Sequence, residues 1–182
     1  MSADRHEGLH EDLVSGEMVY EGVLLRVRRD AVRLPDGETA SREYIVHPGA
    51  AVIVPVLPDG RLLFERQYRH AHGRVFVEFP AGKREPGEEM LETAKRELLE
   101  ETGYRAGRWT SLARVHPALT YTTELLELFV AEELEFVGRR LDDGEFVETF
   151  GATLDEALGW IDRGELTDAK TLVGLLLYAR GR

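Results

Sequence analysis

The sequence contains no cysteine. That excludes a disulfide framework, thiolate metal centres and a cysteine nucleophile, and it fits a reducing cytoplasm, the expected compartment. Long hydrophobic runs are missing as well. The most apolar stretch, residues 50–57, is far shorter than the roughly 20 residues a membrane span requires. The polar start, residues 1–13, lacks the apolar core of a signal peptide. No membrane partner is expected. A surplus of basic charge is lacking too: 34 Asp and Glu face 23 Lys and Arg, giving a net charge of −11. A nucleic-acid partner is therefore not expected, because phosphate backbones select basic surfaces. An acidic protein can still act on a phosphorylated small molecule, given divalent cations and a few well-placed arginines. Repeats, low-complexity tracts and the alternating rhythm of a doubly wound sheet are also absent.

What remains is an ordinary globular composition, 43% hydrophobic and 31% charged over 182 residues, enough for one domain with a small extension. Strand-like segments fall at 17–22, 23–34, 40–47, 51–57, 61–69, 74–82, 109–117 and 124–134, and a turn leads into a strand within 142–152. Leu-Pro-Asp-Gly occurs at 34–37 and again at 57–60, and this turn chemistry predicts two β-hairpins. Helical patterns cover 88–102, ended by Gly103, and a segment opened by Thr153 and Glu156 in capping-box spacing. A last helix starts at Thr167, with Leu172, Leu175, Leu176 and Ala179 expected inward. Residues 1–12 read as a loosely attached start. The fold class expected is α+β, with residues 1–48 a small N-terminal β-sheet region and 49–182 the main domain. Trp109 and Trp160 sit in apolar patterns and read as core; His116 reads as a structural or solvent-facing strand-end residue.

Gly82–Tyr104 holds seven Glu and no Asp. On a helix at about 100° per residue, Leu91, Ala94 and Leu98 fall on one stripe, predicted for the core. Glu92, Arg96 and Glu100 form an i, i+4 ladder on the outer side. Glu88 and Glu89 suit the positive helix N-terminus. Glu97 and Glu101 are like-charged neighbours bordering the apolar stripe, and neither has a Lys or Arg at helical spacing. Two explanations stand on geometry alone: a solvated acidic face, or a site for a hard divalent cation. The segment Asp142–Phe146 lacks the alternating acids of an EF-hand loop.

The order Gly82, Glu88, Arg96-Glu97-Leu98, Glu100-Glu101, Gly103-Tyr104 resembles the Nudix box, with every fixed position filled. The resemblance implies a Nudix-type α/β/α sandwich with a mixed sheet. It also implies an enzyme that hydrolyses nucleoside diphosphates linked to another moiety, with Mg²⁺ as cofactor and Mn²⁺ as a substitute. Glu97 and Glu101 would be the main ligands, with Glu100 and the backbone carbonyl near Ala81 as further ones. Arg96 would orient the carboxylates by pairing with Glu100 or Glu88, and Gly82 would permit a close loop turn. Such cations neutralise a pyrophosphate and activate the attacking water.

Outside the box, Arg42-Glu43-Tyr44, Arg66–Arg69, Glu78–Gly82 and Gly164–Leu172 resemble the ADP-ribose and nucleoside diphosphate-sugar pyrophosphatase branch. That likeness implies a homodimer with shared active sites, in which residues 1–48 reach the second subunit. Arg42 and Arg69 would hold phosphate or base, Glu85 a ribose or sugar hydroxyl, and Glu78 would lie at the substrate. A loop after the box would supply a catalytic carboxylate, Glu145 first and Asp143 next. Leu119 and Thr120 stand where ADP-ribose specialists often carry Pro-Gly, which widens the expected substrates to nucleotide sugars such as GDP-mannose. The alternatives are a nucleoside triphosphate or damaged-nucleotide pyrophosphohydrolase, and a Nudix-like sensor that binds ADP-ribose without cutting it.

Overall fold

A computed structural model describes residues 6–139 and 146–181. Two compact units result: the chain up to His47 with Ala118–Glu124, and Pro48–Pro117 with Leu125 onward.

The first unit is a three-stranded antiparallel sheet, β1 (Asp12–Glu21), β2 (Arg26–Arg33) and β3 (Thr39–Ile45), in that spatial order. The first strand begins earlier than its periodicity suggested, after a 3₁₀ turn at Glu7–Leu9. The β2–β3 hairpin turns on Leu34-Pro35-Asp36-Gly37. The Gly37 N–H donates to the Leu34 carbonyl at 2.9 Å, and its φ of 91° is the left-handed conformation glycine favours. Asp30 is buried in this sheet, between Arg28 Nε and the Tyr44 hydroxyl, each at 2.7 Å. The segment Ala118–Glu124 joins the unit through a parallel bridge between Ile45 and Thr122.

The second unit contains β4 (Ala50–Pro55), β5 (Leu62–Arg69), β6 (Arg74–Glu78), β7 (Ala81–Lys83), α1 (Met90–Glu97), β8 (Tyr104–Val115), β9 (Leu126–Phe136), β10 (Val147–Ala152), α2 (Leu154–Asp162) and α3 (Ala169–Arg180). A mixed sheet has the order β7-β4-β9-β8, with β4 parallel to β9, and a second sheet has the order β10-β5-β6. All six residues of β4 are buried, as expected for a central strand covered on both faces. Its side chains alternate between two cores. Val52 and Val54 join Phe64, Phe79, Leu128, Leu175 and Tyr178. Ala51 and Ile53 join Met90, Ala94, Leu98 and Phe129. Helix α1 thus covers one face of the mixed sheet, and the second sheet with α2 and α3 covers the other, the expected α/β/α arrangement.

Several local readings change. The second Leu-Pro-Asp-Gly makes the same turn, with Gly60 N–H to the Leu57 carbonyl at 2.9 Å, but no hairpin follows. Only Val56 and Leu62 bridge; β4 and β5 then enter different sheets. The segment 74–82 breaks at Phe79-Pro80 and contributes to both sheets. Met90, rather than Leu91, is the buried residue that opens the α1 stripe. Helix α3 is capped by Asp168, not Thr167, and buries Thr171, Gly174, Leu175 and Tyr178, leaving Leu176 exposed. Gly174 explains the shift: a β-carbon there would meet Val54, Phe79 and Leu128 at 3.3–3.5 Å, so the helix approaches the sheet through its glycine. The capping box of Thr153 and Glu156 forms on α2 as read. Trp109 and Trp160 are half-buried against Phe129 and Phe64, and His116 is exposed.

Candidate functional site

The acidic stretch folds as β7, a loop, α1, and a single π-helical turn over Leu98–Thr102 rather than one continuous α-helix. Gly103, at φ 78°, ends it, its N–H donating to the Leu99 carbonyl at 2.9 Å. Having i→i+5 bonding, the π turn packs more residues per turn than 3.6, so Glu97 and Glu101 fall closer to one line than on an α-helix.

Arg96 is the hub, and every N–H of its guanidinium is used. Nε and Nη2 each donate to Glu88 at 3.0 Å, and Nη2 also meets the Lys83 carbonyl at 3.0 Å. Nη1 donates to Glu97 at 2.7 Å and to Glu100 at 3.0 Å. Arg96 was expected to hold Glu88 or Glu100; it holds both. Glu97 was expected to lack a cationic partner, and that reading fails because the guanidinium reaches the adjacent residue's carboxylate from the side. Glu92, assigned to Arg96 on the ladder, pairs with Lys95 at 2.7 Å instead. Glu88 also accepts from Thr93 Oγ1 at 2.7 Å and the Glu85 N–H at 3.1 Å. The Arg96 bonds, against the opposing effect of burial, hold the Glu88 carboxyl down at about 2. The same pairing raises Arg96 above its ordinary value.

Glu101 is only 3% exposed and accepts from the Ala81 N–H at 3.0 Å. Gly82 lies against Glu97: a β-carbon there would stand 1.8 Å from Glu97 Oε1. Gly82 has no positive φ, so the glycine serves this close approach rather than the turn first suggested. Among the described residues no three acidic or histidine side chains already converge as a ligand set. The donor chemistry nonetheless fits a hard divalent cation. Three carboxylates, Glu88, Glu97 and Glu100, share one guanidinium, the buried Glu101 adds a fourth on the same segment, and Gly82 leaves the backbone beside Glu97 free of any side chain.

A second polar cluster lies three residues before Ala81. Glu78, 3% exposed, is gripped by Arg69, whose Nε and Nη2 each donate at 2.7 Å. Lys170 donates to the same Glu78 oxygen and to Asp168 Oδ2, the latter at 2.9 Å. Burial pushes the Glu78 carboxyl up, but Arg69 and Lys170 together carry it below its ordinary value. Arg69 and Glu78 were both anticipated as site residues. Lys170 and Asp168 were not: the Lys170 partner is 92 positions away, and only the likeness of Gly164–Leu172 pointed to this segment.

Arg42 is exposed on β3, its Nε and Nη2 held by Glu11. Glu85 is exposed on the loop before α1. Glu145 and Asp143 lie outside the described residues.

Comparison with known proteins bears on these clusters. Residues 46–174 match the NUDIX domain model, and residues 11–45 match the nucleoside diphosphate sugar hydrolase N-terminal domain. An ADP-ribose pyrophosphatase of Bacillus subtilis (strain 168) is 38% identical over 167 residues, covering 91% of this chain and 90% of that one. A methanol dehydrogenase activator of Bacillus methanolicus is 35% identical, with the same coverages of 91% and 90%. The crystal structure of an ADP compounds hydrolase shares the fold at a TM-score of 0.85 and 24% identity, covering 94% of each chain.

Proposed function

The chain belongs to the Nudix hydrolase family, and on that premise we propose that it hydrolyses the pyrophosphate bond of ADP-ribose or a related nucleoside diphosphate sugar. The products are a nucleoside monophosphate and a sugar phosphate. One observation carries the reading. An intact acidic box with its guanidinium hub sits in a chain matched from residue 11 to residue 174 by two models, one of them describing nucleoside diphosphate sugar hydrolases. The match to an ADP-ribose pyrophosphatase supports the same substrate class.

Mg²⁺, or Mn²⁺ in its place, is the cation proposed for Glu97, Glu100, Glu101 and the Ala81 carbonyl. When bound, it supplies charge neutralisation at the pyrophosphate and activation of the attacking water. Arg96 aims Glu97 and Glu100 by donating to both, and Glu88 keeps Arg96 in place. Glu145 is the proposed loop carboxylate that takes a proton from water, with Asp143 the next candidate. Arg69 holds a phosphate oxygen, Glu78 fixes Arg69, and Glu85 takes a sugar hydroxyl. Residues 1–48 form the dimerising region and 49–182 the catalytic one, with Arg42 serving the substrate of a partner copy. The net charge of −11 supports a small-molecule substrate over nucleic acid. Among the described residues no helix is long and apolar enough to cross a membrane, and the lack of cysteine agrees with a cytoplasmic setting.

The test is a panel of ADP-ribose, GDP-mannose, other nucleotide sugars and nucleoside triphosphates, scored by monophosphate release with Mg²⁺ and with EDTA. Sugar nucleotides are expected to turn over only with the metal, and Glu101→Gln is expected to lower kcat by about a thousandfold while the fold persists. Preference for triphosphates would redirect the assignment to a nucleotide pyrophosphohydrolase. Full turnover in Glu101→Gln would remove that residue from the metal site.

A further inference from the structure

Asp168, Ala169, Lys170 and Thr171 open α3, and their polar groups converge on the strand segment leading into the box. Asp168 Oδ2 accepts from Thr171 N at 3.1 Å, Thr171 Oγ1 at 2.6 Å and Lys170 Nζ at 2.9 Å. Thr171 Oγ1 in turn accepts from the Phe79 N–H at 2.8 Å. Lys170 reaches Glu78, and Glu78 receives Arg69 in a two-bond fork. Charges therefore alternate along a chain from Asp168 through Lys170 and Glu78 to Arg69.

The choice of residue at 170 is informative. Of 23 cationic residues only three are lysines, Lys83, Lys95 and Lys170. The first two are exposed, whereas the Lys170 side chain is 15% exposed. A guanidinium already occupies one edge of the Glu78 carboxylate, and a compact ammonium fits beside it on the shared oxygen. At the far end of the chain, Arg69 spends Nε and Nη2 on Glu78. Its Nη1 makes no hydrogen bond among the described residues. The Arg69 side chain is 41% exposed and lines a cavity of about 780 Å³ with Tyr68, His72, Arg74 and Phe76. Arg74 stacks over the Phe76 ring at 4.3 Å, bringing a second guanidinium to the same cavity.

We propose that Lys170 is a positioning residue: by clamping Glu78 jointly with Arg69, it fixes the Arg69 guanidinium so that the Nη1 edge is offered to a phosphate group of the substrate. This rests on the reading of Arg69 as a phosphate-binding residue. With Lys170 neutralised, the buried Glu78 has one cation instead of two. Its ionised form is less favoured, the two-bond fork loosens, and the edge of Arg69 is no longer held for the ligand.

The experiment combines steady-state rates on ADP-ribose at saturating Mg²⁺ with calorimetric titration of ADP-ribose in EDTA, alongside melting temperatures. Arg69→Ala is expected to raise KM and Kd by about tenfold or more. Lys170→Gln is expected to raise both by about fivefold with kcat within about twofold, Lys170→Arg to recover only part of the loss because a second guanidinium crowds the Glu78 carboxylate, and Lys170→Gln to add nothing in an Arg69→Ala background. An effect of Lys170→Gln that persists in that background, or a lowered melting temperature with unchanged KM and Kd, would overturn the positioning role and leave Arg69 in the site. An Arg69→Ala enzyme with normal KM and Kd would overturn the phosphate reading and the proposal with it, while turnover of ADP-ribose by the wild type would still stand. Should Lys170→Gln fail to fold, Asp168→Asn retains an N-cap for α3 while removing the charge on the outer side of Lys170. It is expected to raise KM by about threefold, and an unchanged KM would count against the proposal.

Discussion

A β-carbon at position 82 would lie 1.8 Å from Glu97 Oε1 and 1.9 Å from its Cδ. Since φ at Gly82 is not positive, alanine suits the backbone, and the nearest conflict is with the carboxylate. Gly82→Ala should therefore displace Glu97, lowering kcat by about a hundredfold while costing less than about 1 kcal/mol of stability. Rates and a denaturant titration of one preparation check both halves. Glu88 makes the complementary prediction. Its folded carboxyl is held at about 2, against an ordinary 4.5, so it contributes stability above about pH 4.5, and that contribution is lost as pH falls toward 2. Glu88→Gln should lower stability at pH 7 by about 2 kcal/mol and flatten the decline between pH 4.5 and 2. Equal slopes in the two proteins over that range would assign the acid sensitivity elsewhere. The positions of these residues were legible in the sequence, because the box fixes their spacing. Their partners were less so. A helical wheel assumes that a side chain meets neighbours three or four positions away, and it missed Arg96 turning onto the adjacent Glu97 and back to Glu88, eight residues earlier.

At the scale of elements, the box helix ends on a π turn and Gly103, and both matter to the placement of Glu100 and Glu101. Gly103 combines φ of 78° with a crowded site, where a β-carbon would stand 2.8 Å from the Arg139 backbone nitrogen. Gly103→Ala should cost about 2 kcal/mol, or roughly 6 °C in Tm for a chain of this size. A melting curve decides, and an unchanged Tm would show that the turn relaxes freely. Strand and helix periodicity gave most elements of the second unit, because β4 is an unbroken apolar run, buried throughout, and α1 and α2 pack apolar positions at helical spacing. It failed where tertiary pairing overrides local chemistry. Both Leu-Pro-Asp-Gly turns have the same bonding, yet only the first leads to a hairpin. After the second, β5 pairs with β6 and β10, which no local signal at 57–60 encodes. The π turn was equally hidden, since the apolar spacing of Met90, Ala94 and Leu98 is that of an ordinary helix.

At the scale of the molecule, the first unit poses a question of stability. Its three strands bury only Asp30 and Val32 among the described residues, too little apolar surface for a small sheet to stand alone. All ten residues of β1 are exposed, including Leu13, Val14, Met18, Val19 and Tyr20, and Val23, Leu24 and Leu25 in the following turn are exposed as well. β1 is also an edge strand, whose free side would template pairing if left uncovered. A second copy of the chain is the economical cover, consistent with the shared-site dimer expected from the sequence. Light scattering after size exclusion should then give twice the 20.6 kDa chain mass. The double variant Val14→Asp, Met18→Asp places two charges on β1, and it should elute at the single-chain mass. If Arg42 serves a partner copy's substrate, the same variant should lose turnover on ADP-ribose by about a hundredfold, and mixing it with a Glu101→Gln protein should not restore activity, because no mixed dimer forms. A wild type of single-chain mass with full activity would refute the dimer. A monomeric variant with unimpaired turnover would separate assembly from catalysis and confine the active site to one chain.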